Sequence, residues 1–470
     1  MNQPSAHSDR EESPPLAPVA RGRGGPLHST DRRHVWHPFT PHSVYADEHP
    51  LMVVAAEGHW LIDADGSRYL DGVASLWCNL FGHRRSEIDA AITAQLGRFA
   101  HTTFLGNASA PAVELAGRLT ALAPAGLERV FFSDNGSTAV EVAMKMAYQF
   151  WQQTGNSADR RRTRFVTLGG AYHGDTVGAV SLGGIELFHE VYRPLLFPTL
   201  QAPQPYCYRC PLGLERQSCG VACAAAAERL IAEHADEIAA VVIEPGVQGA
   251  AGMVTQPDGF AARIASAARN AGALVIVDEV AVGFGRSGRM FASEVERLTP
   301  DFLCLAKGLT GGYLPMAATL TTERIFAGFL GRPEEGRTFY HGHTYTGNAL
   351  AAAAAHATLD ILPGVLDTLP ATVAHFTERA ERLRTLPHVG DVRRYGLALG
   401  VELVAEVASR EPWPGSRRTG MRVCTEAKRR GVFLRPIGDV VIVMPPLTIT
   451  TAELDLIFDA LEAGIAVACE

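Results

Sequence analysis

The sequence lacks three features, and each absence restricts the class of protein. No apolar stretch reaches the roughly 18 residues without polar interruption that a membrane-spanning helix needs. Residues 1–30 contain charges and prolines but no apolar core of the length that a secretory signal has. Basic residues are not in excess, since the sequence has 42 Lys and Arg residues and 50 Asp and Glu residues. We therefore expect a cytoplasmic protein without a membrane or nucleic-acid partner. Residues 1–30 are expected to form a disordered leader.

The sequence also lacks an internal repeat, so its 470 residues predict two domains or one large domain with a smaller companion. Between about residues 125 and 345, short apolar runs alternate with helical stretches, which is typical of βαβ units and a mostly parallel sheet. These runs are RVFFS, RFVTL, AAVVIEP, ALVIVDEV and FLCLAK. The predicted fold class is α/β, and the ligand site is expected beyond the carboxyl ends of the strands.

Strands and helices mix at both ends of this central block. The segment WLIDADGSRYLDGV reads as a hairpin that turns at Asp65 and Gly66, and two strand regions near the C-terminus flank a helix around residues 418–430. This arrangement predicts a small α+β domain assembled from both termini. The expected division is residues 31–75 as an N-terminal segment of the small domain, 76–344 as the large domain and 345–470 as the remainder of the small domain.

Four of the eight cysteines fall close together, as Cys207, Cys210, Cys219 and Cys223 in a C-x2-C-x8-C-x3-C array. Paired thiolates of this kind are the ligands of a structural zinc site. The alternative is a set of free thiols in a surface loop, because disulfides are disfavoured in a reducing cytosol. Either role would be structural.

One lysine, Lys307, follows an apolar strand in DFLCLAKGLTGGYLP. A lysine at a strand end can extend its ammonium into water while its stem packs on the core. It can also be partly desolvated, which lowers its pKa and frees the amine to form a Schiff base. The other strand ends decide between these two readings.

Three further strand ends carry groups that suit a phosphorylated ring. Gly136 and Ser137 open a helix whose free N–H groups can bind a phosphate, although Ser137 or Asn135 could be a simple N-cap. Tyr172 can stack on a planar ring or be a core residue. Asp278 can pair with a protonated ring nitrogen or with an ordinary cationic side chain.

The segment Gly283–Gly288 spells G-x-G-x-x-G, the dinucleotide fingerprint, and opens the alternative of an oxidoreductase. That fingerprint requires the glycines to begin a helix and an acid to end the next strand. Here the next acid, Asp301, begins its strand, so the alternative is weak. Phosphate site, aromatic face, carboxylate and amine together favour pyridoxal 5'-phosphate as the cofactor.

These residues resemble the class III aminotransferases of fold type I from about residue 31 to the C-terminus. Within that class, the chain is most similar to the 7,8-diaminopelargonic acid aminotransferases of biotin synthesis. The resemblance is carried by HVWHPFT, FSDNGST, AYHGDTVGA, IEPGVQGAAGM, DEVAVGFGRSG, AKGLTGG, HGHTYTGN and LRPIGD. It implies a large cofactor-binding domain with a mostly parallel mixed sheet, and a smaller α+β domain.

The resemblance implies roles for the residues at the strand ends. Lys307 would be the Schiff-base lysine, Asp278 the partner of the pyridine nitrogen, and Tyr172 the ring-stacking aromatic. Gly136 and Ser137 would bind the phosphate.

The resemblance also implies contacts with substrates and with a second subunit. Gly342, His343 and Thr344 would reach the phosphate of the neighbouring subunit, so a homodimer with shared active sites is expected. Arg435 would bind the carboxylate of the keto acid acceptor through its planar guanidinium.

The implied reaction is transamination of 8-amino-7-oxononanoate to 7,8-diaminononanoate. The chain has Leu76 and Trp77 where many relatives have two tryptophans, and Phe39 where some have tyrosine. These positions face the amino donor in the family, so S-adenosylmethionine and lysine are both expected as candidate donors. An omega-amino acid transaminase is the nearest alternative function.

Overall fold

The computed structural model describes residues 24–470. Its strands are β1 (Val53–Glu57), β2 (Trp60–Asp63), β3 (Arg68–Asp71), β4 (Leu127–Ser133), β5 (Arg164–Leu168), β6 (Leu200–Ala202), β7 (Ile238–Ile243), β8 (Val247–Gln248), β9 (Val254–Thr255), β10 (Leu274–Asp278), β11 (Phe302–Leu305), β12 (Ala317–Thr322), β13 (Val389–Tyr395), β14 (Ala398–Leu403), β15 (Val432–Phe433), β16 (Arg435–Ile437) and β17 (Val440–Val443).

The helical segments are α1 (Gly24–His34), α2 (His42–Tyr45), α3 (Ala74–Trp77), α4 (Ser86–Leu96), α5 (Ala110–Leu122), α6 (Gly136–Thr154), α7 (Val177–Ser181), α8 (Glu186–His189), α9 (Ala222–Glu233), α10 (Phe260–Asn270), α11 (Ala292–Glu296), α12 (Glu323–Gly328), α13 (Ala349–Leu383), α14 (Thr419–Arg429) and α15 (Thr451–Cys469). Short 3-10 turns lie at Ala46–Glu48, Asp159–Arg161, Glu190–Leu195, Lys307–Thr310, Pro333–Glu335 and Gly415–Arg417.

The central sheet has seven strands in the order β4-β12-β11-β10-β7-β5-β6. Neighbours pair in parallel from β11 through β10, β7 and β5 to β6, whereas β12 is antiparallel to both β11 and β4. Every residue of β7 is buried, as expected for a parallel strand covered by helices on both faces. The five apolar runs of the sequence form strands of this sheet, so the α/β fold class is confirmed.

Helix α6 shows why the strand ends are well positioned. Its 19 residues bury an apolar stripe that includes Val142 and Phe150, while Met146 is partly buried. This stripe packs on the apolar face formed by β7, β10, β11 and β12, which fixes the start of the helix next to the end of β4. The first turn of α6 therefore lies at the carboxyl edge of the sheet.

Both termini contribute to smaller sheets. The predicted hairpin is present, with β2 antiparallel to β3 in the register Trp60 to Leu70. Strand β15 from the C-terminal region then pairs in parallel with β3, with Val432 opposite Leu70. A second antiparallel sheet has the order β13-β14-β17-β16, and α14 matches the helix expected around residues 418–430. The N-terminal strands thus share one sheet with residues close to the C-terminus.

The expected disordered leader over residues 1–30 needs a correction at its C-terminal end. Helix α1 begins at Gly24, so residues 24–30 are helical and do not belong to a disordered leader. Within α1, Asp31 accepts a hydrogen bond from the Tyr45 hydroxyl at 3.0 Å and bonds to His37 at 2.8 Å. These contacts fix the C-terminal half of the helix. Residues 1–23 lie outside the described residues.

Helix α13 is long and apolar enough to cross a membrane by length and composition alone. Half of its most apolar stretch is buried inside the protein, where it contacts α4, α5 and α15. This environment is that of a core helix, in agreement with its reading as a packed helix from the sequence.

The cysteine array lines one small cavity in the loop between β6 and α9, formed by Cys207, Cys210, Cys219, Cys223 and neighbouring side chains. None of the four forms a disulfide. Among residues 24–470, no group of three or more His, Cys, Asp or Glu side chains is arranged to hold a metal ion. Burial raises the pKa of Cys207 and of Cys223.

Glu453, in the first turn of α15, ties the N-terminal hairpin to the C-terminal helix. One carboxylate oxygen bonds to His59 at 2.8 Å and accepts from the Thr450 amide at 3.0 Å, and the other accepts from the Trp60 indole at 3.2 Å. Burial alone would raise the pKa of Glu453, but these hydrogen bonds lower it to about 2. The ionised form therefore stabilises the fold.

We predict that Glu453→Gln lowers the free energy of unfolding at pH 7 by about 1 to 3 kcal/mol, the scale for a buried charged hydrogen-bonding group. Because the folded pKa is depressed, this contribution is present above the unfolded pKa near 4.5 and is lost as the pH falls through about 2. Urea midpoints at fixed protein and cofactor concentration measure the difference at pH 7 and pH 3. Glu114→Gln, on an exposed face of α5, is the matched control. An equal deficit at both pH values would contradict this account.

Candidate active site

The strand ends meet at one edge of the central sheet. Strands β10 and β11 are parallel neighbours, and they lead to Asp278 and to Lys307. Strand β5 is followed within a few residues by Tyr172 and His173, and β4 by the first turn of α6. Four of the segments singled out from the sequence therefore converge in space.

Asp278 is 6% exposed and is held by His173, whose Nδ1 lies 2.7 Å from Asp278 Oδ2. The other oxygen accepts from the Val280 amide at 3.0 Å. Burial would lower the pKa of His173, but the hydrogen bond and charge of Asp278 outweigh it, so the pKa is raised. Asp278 therefore favours the protonated form of His173, and its carboxylate lies at the strand end where a second cation can approach.

Sequence reasoning assigned no role to Glu244, which lies behind this pair. The Glu244 carboxyl accepts from the backbone amides of Tyr172 at 3.1 Å and Gly249 at 3.3 Å. Burial raises its pKa to about 7. Glu244 thus connects the segment carrying Tyr172 to the loop beneath Trp77, and its glutamate-proline context in IEPGVQG was the available signal.

Lys307 has a positive φ of 46°, in the left-handed region. Burial lowers the pKa of Lys307, although the nearby Asp278 acts in the opposite direction. The indole of Trp77 covers the amine, with Nζ 5.0 Å from the ring centroid. The structure therefore favours the desolvated amine over a lysine that extends into water.

Asn135, rather than Ser137, caps helix α6. Its side chain accepts from the Thr138 amide at 3.0 Å, and the Asn135 amide donates to the Thr138 hydroxyl at 3.2 Å. Among the described residues, the amides of Gly136 and Ser137 have no acceptor. Two free N–H groups at the start of a 19-residue helix form a site for an anion.

Close packing at this helix start requires glycine at two positions. A Cβ on Gly136 would lie 2.5 Å from Val280 Cγ1, and a Cβ on Gly174 would lie 1.8 Å from Ser137 Oγ. Gly174 also has a φ of 116°, where other residues are strained. The Ser137 hydroxyl accepts from the Asp175 amide at 3.3 Å, which joins the helix start to the segment carrying Tyr172.

Tyr172 belongs to a row of aromatic rings. Its hydroxyl donates to Asp175 at 2.7 Å, and its pKa is raised by burial and by that bond. Phe188 lies between Tyr172 and Phe39, with ring centroids 6.3 and 5.2 Å away and edge-to-face geometry on both sides. The structure thus brings Phe39 to the same rim as Tyr172, and Phe188 was missed because its helix has only four residues.

Segment α3 is a turn of left-handed helix. Ala74, Ser75, Leu76 and Trp77 have φ values of 47°, 41°, 67° and 75°. The Trp77 amide donates to the carbonyl of Val73 at 2.7 Å. All four residues carry a Cβ, and this conformation costs roughly 1 to 2 kcal/mol for each such residue. The turn buries Trp77 over Lys307 and leaves Leu76 half exposed.

Two arginines are candidates for binding a carboxylate. Arg435 begins β16 and is half-buried, and its side chain forms no hydrogen bond or ion pair within residues 24–470. Arg286 is fully buried, and of its side-chain nitrogens only Nη1 has an acceptor within the described part of the chain, the carbonyl of Pro445. Burial lowers the pKa of Arg286 to about 10. Its signal was an arginine inside the glycine-rich GFGRSG segment.

The G-x-G-x-x-G segment does not begin a helix. Residues 281–290 form a series of turns, and the next helix, α11, starts only at Ala292. The structural requirement of the dinucleotide fingerprint is therefore not met, and the oxidoreductase alternative is wrong.

Gly342, His343 and Thr344 do not join the other predicted residues in this chain. Gly342 and Thr344 are exposed, and the His343 amide donates to Thr346 within the same loop. The buried Nε2 of His343 has no acceptor among the described residues.

Comparisons with known proteins agree with this arrangement. Residues 43–465 match the family described as class-III aminotransferases. The adenosylmethionine-8-amino-7-oxononanoate aminotransferase of Nitratidesulfovibrio vulgaris is 52% identical over 455 residues, which are 96% of this chain and 84% of that protein.

Solved structures give the same result. The adenosylmethionine-8-amino-7-oxononanoate aminotransferase of Methanocaldococcus jannaschii is 43% identical with a TM-score of 0.89, covering 94% of this chain and 98% of that one. A PLP-bound amine transaminase from an uncultivated Pseudomonas species is 38% identical with a TM-score of 0.85, covering 93% and 99%. This chain therefore belongs to the class-III aminotransferases, enzymes that depend on pyridoxal 5'-phosphate.

Proposed function

We propose that this aminotransferase converts 8-amino-7-oxononanoate to 7,8-diaminononanoate in biotin biosynthesis, with S-adenosylmethionine or lysine as the amino donor. The observation that carries the substrate is the 52% identity, over 96% of the chain, to an adenosylmethionine-8-amino-7-oxononanoate aminotransferase. Such similarity extends through the site segments and both terminal sheets. We also propose that it acts in the cytoplasm.

The residues present suit pyridoxal phosphate. The free amides of Gly136 and Ser137 would bind its phosphate, and the buried carboxylate of Asp278 would hold the proton on its ring nitrogen. Tyr172 would cover one face of the ring. When bound, the cofactor supplies an aldehyde that accepts the amino group and a ring that withdraws electrons.

Lys307 would first bind the cofactor and then move protons. Because burial lowers the pKa of Lys307, its amine is more readily neutral and can accept a proton from the substrate carbon. This requires that the donor amine has first displaced Lys307 from the cofactor, and the freed amine can then deliver the proton to the cofactor carbon that carried the aldehyde. Trp77 lies over the amine and restricts the access of water to it.

Arg435 would bind the carboxylate of the acceptor. The Arg435 side chain is half-buried and has no partner among the described residues. Two residues earlier, the Phe433 carbonyl accepts from the amide of Gly72 at 3.0 Å, close to the left-handed turn. A guanidinium there can bind both carboxylate oxygens. Arg286, with two nitrogens that lack acceptors, is the second candidate for this role.

We further propose a homodimer with shared active sites, in which Gly342, His343 and Thr344 reach the phosphate bound by the second subunit. The support is that Gly342 and Thr344 are exposed, while the buried Nε2 of His343 between them lacks an acceptor among residues 24–470. The division into segments 31–75, 76–344 and 345–470 is likewise proposed. The pairing of β3 with β15 supports a small domain from both termini.

An omega-amino acid or amine transaminase is the second candidate function, favoured by the 38% identity to the Pseudomonas amine transaminase. We predict that the purified protein, given pyridoxal phosphate, 8-amino-7-oxononanoate and either S-adenosylmethionine or lysine as amino donor, forms 7,8-diaminononanoate, detected by mass spectrometry. Pyruvate with a simple amine is the control pair. Turnover of the control pair without any diaminononanoate would select the alternative.

The donor is tested in the same protein by mixing the pyridoxal form with each amine alone. Leu76 is half exposed and Phe39 is 58% exposed, so the donor side offers one aromatic ring fewer than a tandem tryptophan would. The lost stacking is worth roughly 0.5 to 1.5 kcal/mol, about tenfold in preference, which lets lysine compete. Rapid conversion to pyridoxamine phosphate by S-adenosylmethionine and none by lysine would disprove a changed donor.

Lys307→Ala is expected to abolish turnover and the visible absorption of the cofactor-loaded protein while the fold remains intact, because no neighbouring group replaces a primary amine. The sequence contains only two other lysines, Lys145 and Lys428. Lys428→Ala is the matched control, since its Nζ donates to the carbonyls of Glu48 and His49. Near-normal turnover of Lys307→Ala without added amine would make the assignment wrong.

Arg435→Ala is expected to weaken the acceptor half-reaction by about 2 to 5 kcal/mol in kcat/KM, the scale for truncating one side of a buried charge pair. Arg435→Lys keeps the charge but not the planar fork, and should lose less. Single-turnover kinetics of each half-reaction supply the measurement. An equal loss in both half-reactions would contradict a group dedicated to the acceptor.

A further inference from the structure

The left-handed turn Ala74–Trp77 is held from one side by the carboxylate of Asp71. Asp71 is the last residue of β3 and is fully buried. Its Oδ1 accepts from the Val73 amide at 3.2 Å, and its Oδ2 accepts from the Ser75 amide at 2.6 Å and the Ser75 hydroxyl at 2.7 Å. His83 Nε2 lies 3.7 Å from the same Oδ2.

Those bonds reach both the entrance and the middle of the turn. Val73 accepts from the Trp77 amide through its carbonyl and donates to Asp71 through its own amide. Asp71 therefore fixes the residue that closes the turn. Ser75, with φ 41° and ψ 48°, is fixed by two bonds in a conformation that it would otherwise avoid. Asp71 is thus the side chain that compensates for the strain of the turn.

The turn decides where the indole of Trp77 lies. Its ring covers Lys307 Nζ at 5.0 Å on one side, and on another side Gly249 approaches so closely that a Cβ there would lie 3.3 Å from the ring. The indole Nε1 is buried and has no acceptor among the described residues. A relaxed turn would move Trp77 away from the amine.

We propose that Asp71 is a positioning residue for transamination, which acts only through the left-handed turn that places Trp77 over Lys307. Asp71 does not contact the reacting groups itself. This inference rests on the proposed roles of Lys307 and Trp77.

The test is a double-mutant cycle between Asp71→Asn and Trp77→Leu. Asparagine keeps the volume but retains a single acceptor oxygen, so it cannot serve both Val73 and Ser75. We expect kcat/KM of the donor half-reaction to fall about 10- to 100-fold in Asp71→Asn, the scale of a small misplacement in an active site. In the Trp77→Leu background the same change should cost little more.

A rescue variant separates positioning from general stability. Glycine adopts positive φ without strain, so adding Ser75→Gly to Asp71→Asn should restore much of kcat/KM. Asp63→Asn is the matched control, because Asp63 also accepts two backbone amides in this hairpin, those of Met52 and Ala64. Both amides bond to Oδ1, which asparagine retains, so this variant should leave kcat/KM per bound cofactor unchanged.

The cofactor-free protein gives an independent readout. The emission of Trp77, taken as the difference between each protein and its Trp77→Leu counterpart, should shift to the red in Asp71→Asn as the indole becomes solvated. Unchanged emission and unchanged kcat/KM in Asp71→Asn would overturn the inference, as would fully additive losses or no rescue by glycine. If Trp77→Leu itself has no effect, the proposed role of Trp77 fails instead.

Discussion

A buried carboxylate at the end of a central parallel strand needs a cation, and the rest of the site follows from that requirement. Asp278 is 6% exposed, and His173, in the segment that follows β5, bonds to it at 2.7 Å. Asp278 favours the protonated form of His173 and also acts on Lys307 one strand away. In the proposed function, the ring nitrogen of the cofactor would find its partner at this carboxylate.

The second wall of the site comes from outside the central sheet. Strand β3, which pairs in parallel with β15, leads into the left-handed turn, and Trp77 of that turn lies over Lys307. Four non-glycine residues in left-handed conformation are strained, and strain of this kind persists only where the surrounding structure fixes it. The left-handed turn therefore depends on the N-terminal hairpin, which is itself held by β15 and by Glu453 of α15.

The strand ends could be predicted because they depend on local pattern and on a general rule for parallel sheets. Lys307, Asp278, Tyr172 and the start of α6 all follow apolar runs that became strands of one sheet. The turn at Ala74–Trp77 could not be predicted, since no glycine marks it and tertiary contacts impose it. The glycine- and proline-rich segments around Arg286 and Glu244 single these residues out, but their burial could not be predicted, because charged residues are mostly exposed.

The central claim is that Asp278, supported by His173, keeps the ring nitrogen of the cofactor protonated. Nitrogen-15 NMR of the protein loaded with ring-labelled pyridoxal phosphate measures this directly, because the shift of the ring nitrogen differs strongly between its protonated and neutral forms. At pH 8 the account predicts a protonated nitrogen in the wild-type protein and a neutral one in Asp278→Asn. A neutral nitrogen in the wild-type protein, or a protonated one in both proteins, would contradict it.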